Sequence, residues 1–157
     1  MKKTKYNWWI FAYIVVLIEG LGFLSSQVSG DIKSKYAALS LPPLSPPGWL
    51  FGVMWPLLYL LIAIATYRVF MSSDLLRGKA ITTLAVGILL NLLWSPVFFG
   101  LGLYWAAVIL IAAMDVLTVL TIRQFRRIDK AAAWLLVPYL LWLIFATYLT
   151  IGVALKN

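Results

Sequence analysis

The chain has no cysteine, no histidine and only five acidic residues in 157. Without cysteine there are no disulfides, and without either residue the usual thiolate and imidazole ligands for zinc, copper or iron are missing. A haem held by histidine is excluded. Catalytic templates fare no better, because there is no histidine base, no cysteine nucleophile and no glycine-rich phosphate loop after a strand. The carboxylates Glu19, Asp31, Asp74, Asp115 and Asp129 form no pair at a shared depth. A conventional hydrolase or transferase is therefore not expected.

Charge is scarce overall, at 11% of residues, while 64% are hydrophobic and the mean hydropathy is +0.97. So little polar surface cannot coat a soluble globule of this size. Five apolar stretches, at about 8–28, 49–70, 80–99, 101–122 and 131–155, each approach the ~20 residues that cross a bilayer as a helix. The expected fold is an all-α integral membrane protein, a single domain over 1–157 built as one bundle of five transmembrane helices. Gly100 and Gly102 supply the backbone freedom for a tight reversal between the third and fourth spans. The first span is too long for the apolar core of a signal peptide and lacks a small-x-small cleavage site, so it is expected to stay.

The formal charge of +8 is distributed by side rather than by domain. With five alternating spans, Lys2, Lys3, Lys5, Arg68, Arg77, Lys79, Arg123, Arg126, Arg127 and Lys130 fall on the side of the N-terminus, against Lys33, Lys35 and Lys156 on the other. By the positive-inside rule the N-terminus is expected in the cytoplasm and the C-terminus outside, in a cytoplasmic-type membrane, with the cations serving topology and lipid headgroups rather than nucleic acid.

The longest connection, residues 29–48, ends in Leu41-Pro42-Pro43-Leu44-Ser45-Pro46-Pro47-Gly48-Trp49. Four prolines in six residues cannot continue a helix, yet they lose little entropy when held in one shape. The loop reads as a stiff lid of Pro42, Pro43, Pro46 and Pro47, with Ser45 as N-cap and Pro46 opening the second span. Pro56, Pro96 and Pro138 sit within spans, each within four residues of Trp55, Trp94 or Trp142, and are expected to kink their helices.

Of eight tryptophans, Trp8, Trp9, Trp49, Trp105 and Trp134 fall near span ends, where aromatic belts anchor to headgroups. Trp55, Trp94 and Trp142 lie deeper. Asn91, Trp94, Ser95 and Phe98 share one stripe at i, i+3, i+4 and i+7; Trp55 and Tyr59, and Trp142 and Ala146, stack at i, i+4. Rise along the helices puts Trp55, Asn91 and Trp94 in one layer, with Trp142 as the floor if the helices are neighbours. Broad aromatic faces with a few polar handles suit a large, flat, apolar ligand; ordinary interhelical packing is the alternative. Glu19 and Asp115 are intramembrane acids, a mark of function by default and of helix packing otherwise.

These residues resemble the tryptophan-rich sensory protein and translocator protein family, TspO/MBR, also called peripheral-type benzodiazepine receptors. The resemblance rests on Tyr36-Ala37-Ala38-Leu39 with Pro42-Pro43-Leu44-Ser45-Pro46-Pro47-Gly48-Trp49-Leu50-Phe51, on Trp55 with Leu58-Tyr59, on Asn91-Leu92-Leu93-Trp94-Ser95 with Phe98-Phe99, and on Leu135-Leu136-Val137-Pro138-Tyr139-Leu140-Leu141-Trp142 with Phe145-Ala146. It implies a five-helix membrane protein, often a homodimer, whose pocket beneath the first long loop binds protoporphyrin IX and, in some members, cholesterol and benzodiazepine-type ligands. Ligand contacts carry over onto Tyr36, Trp55, Tyr59, Asn91, Trp94, Trp142 and Ala146. The implied role is a sensor or carrier; the other reading is light- and oxygen-dependent porphyrin breakdown with Trp55 and Trp142 as redox partners. Pro56 departs from the small hydroxyl residue usual in the family, and Tyr148 lacks a nearby basic residue, so cholesterol binding is not expected.

Overall fold

The computed structural model describes residues 6–157, so Lys2, Lys3 and Lys5 lie outside the described residues. Helix α1 runs Trp8–Val28 and is started by Asn7, whose side-chain oxygen accepts from the backbone N–H of Trp9 and Ile10 at 3.0 and 3.2 Å. A short helix α2, Ile32–Ala38, follows, and then the proline segment and α3, Trp49–Phe70. Helix α4, Arg77–Ser95, continues into a π-helical turn, Pro96–Gly100. The chain reverses into α5, Tyr104–Ile128, and ends in α6, Lys130–Leu135, and α7, Val137–Lys156.

Among the described residues, five segments are long and apolar enough to cross a membrane: Trp8–Val28, Trp49–Phe70, Arg77–Gly100, Tyr104–Ile128 and Lys130–Lys156. The protein is an integral membrane helix bundle. The fourth span outruns its expected end by six residues, because Arg123, Gln124, Arg126 and Arg127 are good helix formers that carry the helix beyond the apolar stretch. Gly102, at φ 66°, makes the reversal before it.

Helix α4 packs on α5, α5 on α7, and α1 on α3. Lipid offers apolar side chains no penalty, so packing and backbone proximity hold such a bundle together. Ala63, Ala65, Ala107 and Ala132 are wholly buried, small side chains that let the helices approach, while Ile62, Leu58, Leu143 and Phe125 fill the space between. At the end of α3 remote from α2, Tyr67 clasps α1: its hydroxyl accepts from the Asn7 N–H at 2.8 Å and its ring meets Phe11 at 5.5 Å.

The span prolines act differently from one another. Pro56 lies inside α3. Pro138 occupies the first turn of α7, where a missing N–H costs nothing, and the chain breaks at Leu136 between α6 and α7. Pro96 opens the π-helical turn, in which the Leu101 N–H reaches the Pro96 carbonyl at 2.9 Å. Having no N–H of its own, Pro96 leaves the carbonyl of Leu92 without its helical donor, and the Ser25 hydroxyl of α1 supplies one at 2.6 Å. One turn on, Ser29 donates to the Ser25 carbonyl and meets the Ser95 hydroxyl, both at 2.8 Å.

Ser45 is not the N-cap of α3. That helix starts four residues later, at Trp49 behind Gly48, without a side-chain cap, and the Ser45 hydroxyl turns back to the Pro42 carbonyl at 2.7 Å. The diversion closes a turn around Leu44, whose φ of 65° is the left-handed region. Helix α2 was not expected in the polar half of this connection; its signal is Asp31, which caps the Ser34 N–H at 3.2 Å and takes its hydroxyl at 2.6 Å. Those two bonds hold the Asp31 carboxyl below the usual carboxylate range.

The proline segment is bound along its length. Tyr36 donates to the Pro46 carbonyl and Tyr148 to that of Pro43, each at 2.7 Å, and Asn157 pairs with Ser40 through both backbone groups. Pro42 lies so close over Gly152 of α7 that a Cβ there would fall 2.5 Å from its ring. Gly152→Ala is therefore expected to destabilise by about 1–3 kcal/mol. Gly20→Ala, where a Cβ meets open space, should be neutral or slightly stabilising. Thermal midpoints in one detergent check the pair, and equal shifts would contradict the docking of the loop on α7.

Candidate functional site

Below α2 and the proline segment, α1, α3, α4 and α7 stand apart around a cavity of about 720 Å³. That is within the range of about 300–1,000 Å³ that drug-sized ligands fill. From the nine expected ligand residues the fold brings Tyr36, Trp55, Tyr59, Asn91, Trp94, Ser95, Phe98 and Ala146 to its wall. Aromatic pairs at i, i+4 line it from two helices. On α3, Trp55 and Tyr59 lie 5.6 Å apart and tilted by 33°; on α4 and its π turn, Trp94 and Phe98 stack at 4.8 Å and 15°. Both are the i, i+4 spacing expressed as ring contact.

Trp142 does not form the floor. It is 9% exposed and packs edge to face behind Phe51, ring centroids 5.8 Å apart, with Phe145 at the same distance on its other side. Phe51, whose other neighbour is Tyr36 at 5.1 Å, takes the wall position instead. Of the α7 pair Trp142 and Ala146, only Ala146 reaches the wall, and a neighbouring ring from another helix is what the spacing within α7 cannot show.

The polar handle of the cavity is a three-helix relay. Tyr59 donates to Asn91 Oδ1 at 2.6 Å, and Asn91 Nδ2 donates to the Tyr139 hydroxyl at 3.2 Å. Asn91 is 6% exposed and Tyr139 2%, so each bond is made where no water replaces it. At the mouth, burial pushes the Tyr36 hydroxyl above its ordinary pKa, so it stays protonated and keeps its bond to Pro46 at neutral pH.

The four lid prolines themselves stay off the wall, which the segment reaches through Leu41, Ser45 and Gly48. No α1 residue was among the expected ligand contacts, Glu19 having been read only as an intramembrane acid. Glu19, Gly22 and Ser26 form an i, i+3, i+7 stripe on the cavity side, and the Tyr59 ring occupies the space a Cβ on Gly22 would need. A stripe of small and polar residues in an otherwise apolar helix was the available signal. Pro56 also lines the cavity. Asp115 is elsewhere: it accepts from Thr147 at 2.8 Å across α5 and α7, an interhelical bond away from the cavity.

The belt tryptophans point to lipid, with Trp8, Trp9, Trp105 and Trp134 between 57% and 86% exposed. Trp49, 68% exposed, also borders the cavity mouth. The fold and site thus define a membrane helix bundle with an aromatic-walled cavity beneath a proline-rich segment.

Comparison with known proteins places this bundle. The TspO/MBR family profile matches residues 13–155. A tryptophan-rich protein TspO of Archaeoglobus fulgidus is 35% identical over 144 residues, covering 91% of this chain and 94% of that one. The human translocator protein is 33% identical over 147 residues, with 90% and 86% covered, and a tryptophan-rich sensory protein of Cereibacter sphaeroides is 35% identical over 112, with 71% and 70% covered. The chain belongs to the TspO/MBR family.

Asn91→Leu, which strands two buried tyrosine hydroxyls, should destabilise by about 1–3 kcal/mol, and Tyr59→Phe by about 1 kcal/mol. Denaturation midpoints in detergent measure both. An unchanged midpoint for Asn91→Leu would contradict the relay.

Proposed function

We propose that the protein is a membrane receptor or carrier for flat, apolar tetrapyrroles such as protoporphyrin IX, held in the cavity beneath the lid. The observation that carries this reading is the pairing of two broad aromatic faces, Trp55 with Tyr59 and Trp94 with Phe98, around one cavity that offers few polar groups. A macrocycle stacks on such faces, and the relay through Asn91 meets its polar edge. The names of the relatives, sensory protein and translocator protein, accord with ligand recognition in a membrane. The segment over the mouth, whose carbonyls are tied to Tyr36 and Tyr148, gates entry from outside or laterally from lipid. The positive-inside count supports a lid on the outer face of the membrane, and a bacterial cytoplasmic membrane is the expected location. A homodimer is the expected assembly.

The test is a titration of the purified protein with protoporphyrin IX in the dark, read by tryptophan fluorescence. Saturable quenching is expected, with Trp55→Ala binding at least tenfold more weakly and Trp142→Phe within a few-fold of wild type. Absence of saturable quenching would overturn the tetrapyrrole reading. Illumination in air then separates receptor from enzyme: a stable porphyrin absorbance fits a receptor or carrier. Bleaching in wild type but not in Trp142→Phe would instead assign a photochemical breakdown, with the Trp142 indole giving up an electron to the light-excited porphyrin.

A further inference from the structure

On the lid side a crevice of about 410 Å³ lies between α2, the π-helical turn and the start of α5. It shares Phe98 and Phe99 with the aromatic cavity, whose wall those rings also form. The crevice sits at the rim of the membrane, because Gly100 ends the third span and Tyr104 begins the fourth. Leu101 and Leu103 between them, and Trp105 just beyond, are all exposed, apolar side chains at a span end where lipid is the neighbour.

Among the described residues that line the crevice, Lys35 carries the one charged side chain. Its ammonium is held in place, with Nζ donating to the Ser29 carbonyl at 2.9 Å. Gly30, at φ 80°, leaves room for it, since a Cβ there would fall 3.1 Å from Nζ. An ammonium has three donors, so two remain for a ligand. Among the described residues no carboxylate neutralises it, the ion pair being Arg68 with Asp129, at the end of α3 and the start of α6. Asn157 also lines the crevice, but its amide is bound to Ser40 and Val153. Tyr104, its ring 5.1 Å from Phe98, adds a hydroxyl.

We infer that this crevice binds the phosphate of an anionic lipid from the lid-side leaflet, with Lys35 as its charged contact and the acyl chains lying over Leu101, Leu103 and Trp105. A preset ammonium beside exposed apolar side chains is matched by a molecule that is charged at one end and apolar at the other. A free phosphate would meet the ammonium and leave the apolar rim uncovered. Because the Ser29 carbonyl already holds the lysine, little side-chain freedom is lost when the headgroup arrives. The side of the membrane with few cations thereby carries one defined headgroup site. The inference is independent of what occupies the aromatic cavity.

The experiment follows thermal stabilisation of the purified protein in a neutral detergent during titration with phosphatidylglycerol, phosphatidylcholine or inorganic phosphate. One lysine near a headgroup makes wild type favour phosphatidylglycerol over phosphatidylcholine about fivefold in apparent affinity. Two variants remove the site by different routes: Lys35→Gln takes away the charge, and Ala38→Trp fills the crevice from α2 with the charge intact. Each should abolish the preference, and Lys35→Arg should keep it. Lys33→Gln removes the same charge from the same helix outside the crevice, and should leave the preference within about twofold of wild type. No preference in wild type, an undiminished preference in Ala38→Trp, or equal losses in Lys33→Gln and Lys35→Gln would overturn the site. Inorganic phosphate that stabilised as strongly as phosphatidylglycerol at equal concentration would overturn the lipid assignment in favour of a free anion.

Discussion

A backbone carbonyl inside a bilayer must find a donor within the protein, because hydrocarbon offers none. Pro96 breaks the ladder of α4 at one such carbonyl, that of Leu92, and the Ser25 hydroxyl repairs it from another helix. The repair fixes where α1 stands against α4, and the Ser29–Ser95 contact one turn further on fixes its rotation. The two walls of the cavity that these helices supply, Glu19 to Ser26 on one side and Asn91 to Phe98 on the other, are separated by that join. A proline that would weaken a soluble helix here creates the specific contact on which the site depends.

The lid follows the same rule at the membrane surface. Proline carbonyls keep their acceptor capacity while losing the N–H, so a proline-rich segment offers more acceptors than donors. The side chains of Tyr36, Ser45 and Tyr148 supply the missing donors, each with a hydroxyl at 2.7 Å. The lid is rigid through prolines and attached through hydroxyls. The Tyr36 and Tyr148 bonds tie the segment to α2 and α7, whereas the Ser45 bond closes a turn within it.

The architecture was legible because span length and the absence of polar surface leave few alternatives. Helical phase was legible too: the α4 stripe of Asn91, Trp94, Ser95 and Phe98 does face one cavity, and the π turn beginning at Pro96 keeps Phe98 stacked on Trp94. What phase cannot give is which ring stands in front when two helices meet. Trp142 of α7 and Phe51 of α3 meet edge to face, and of the two it is Phe51 that lines the cavity. Side-chain hydrogen bonding was the other gap. Ser45 followed by Pro46 looked like a helix cap, but the left-handed turn at Leu44 directs its hydroxyl backwards. Glu19 and Asp115 looked alike in sequence, and only the packing separates a cavity acid from one engaged by Thr147.

The central claim is that the space between the α3 and α4 aromatic pairs is where a tetrapyrrole sits. An experimental structure of the protein with protoporphyrin IX bound tests it most directly. The account predicts the macrocycle inside the cavity, in contact with Trp55 and Tyr59 and with Trp94 or Phe98, beneath a lid still joined to Tyr36. A macrocycle found on the lipid-facing surface, against the exposed Trp105 or Trp134, with the cavity residues unchanged, would contradict it.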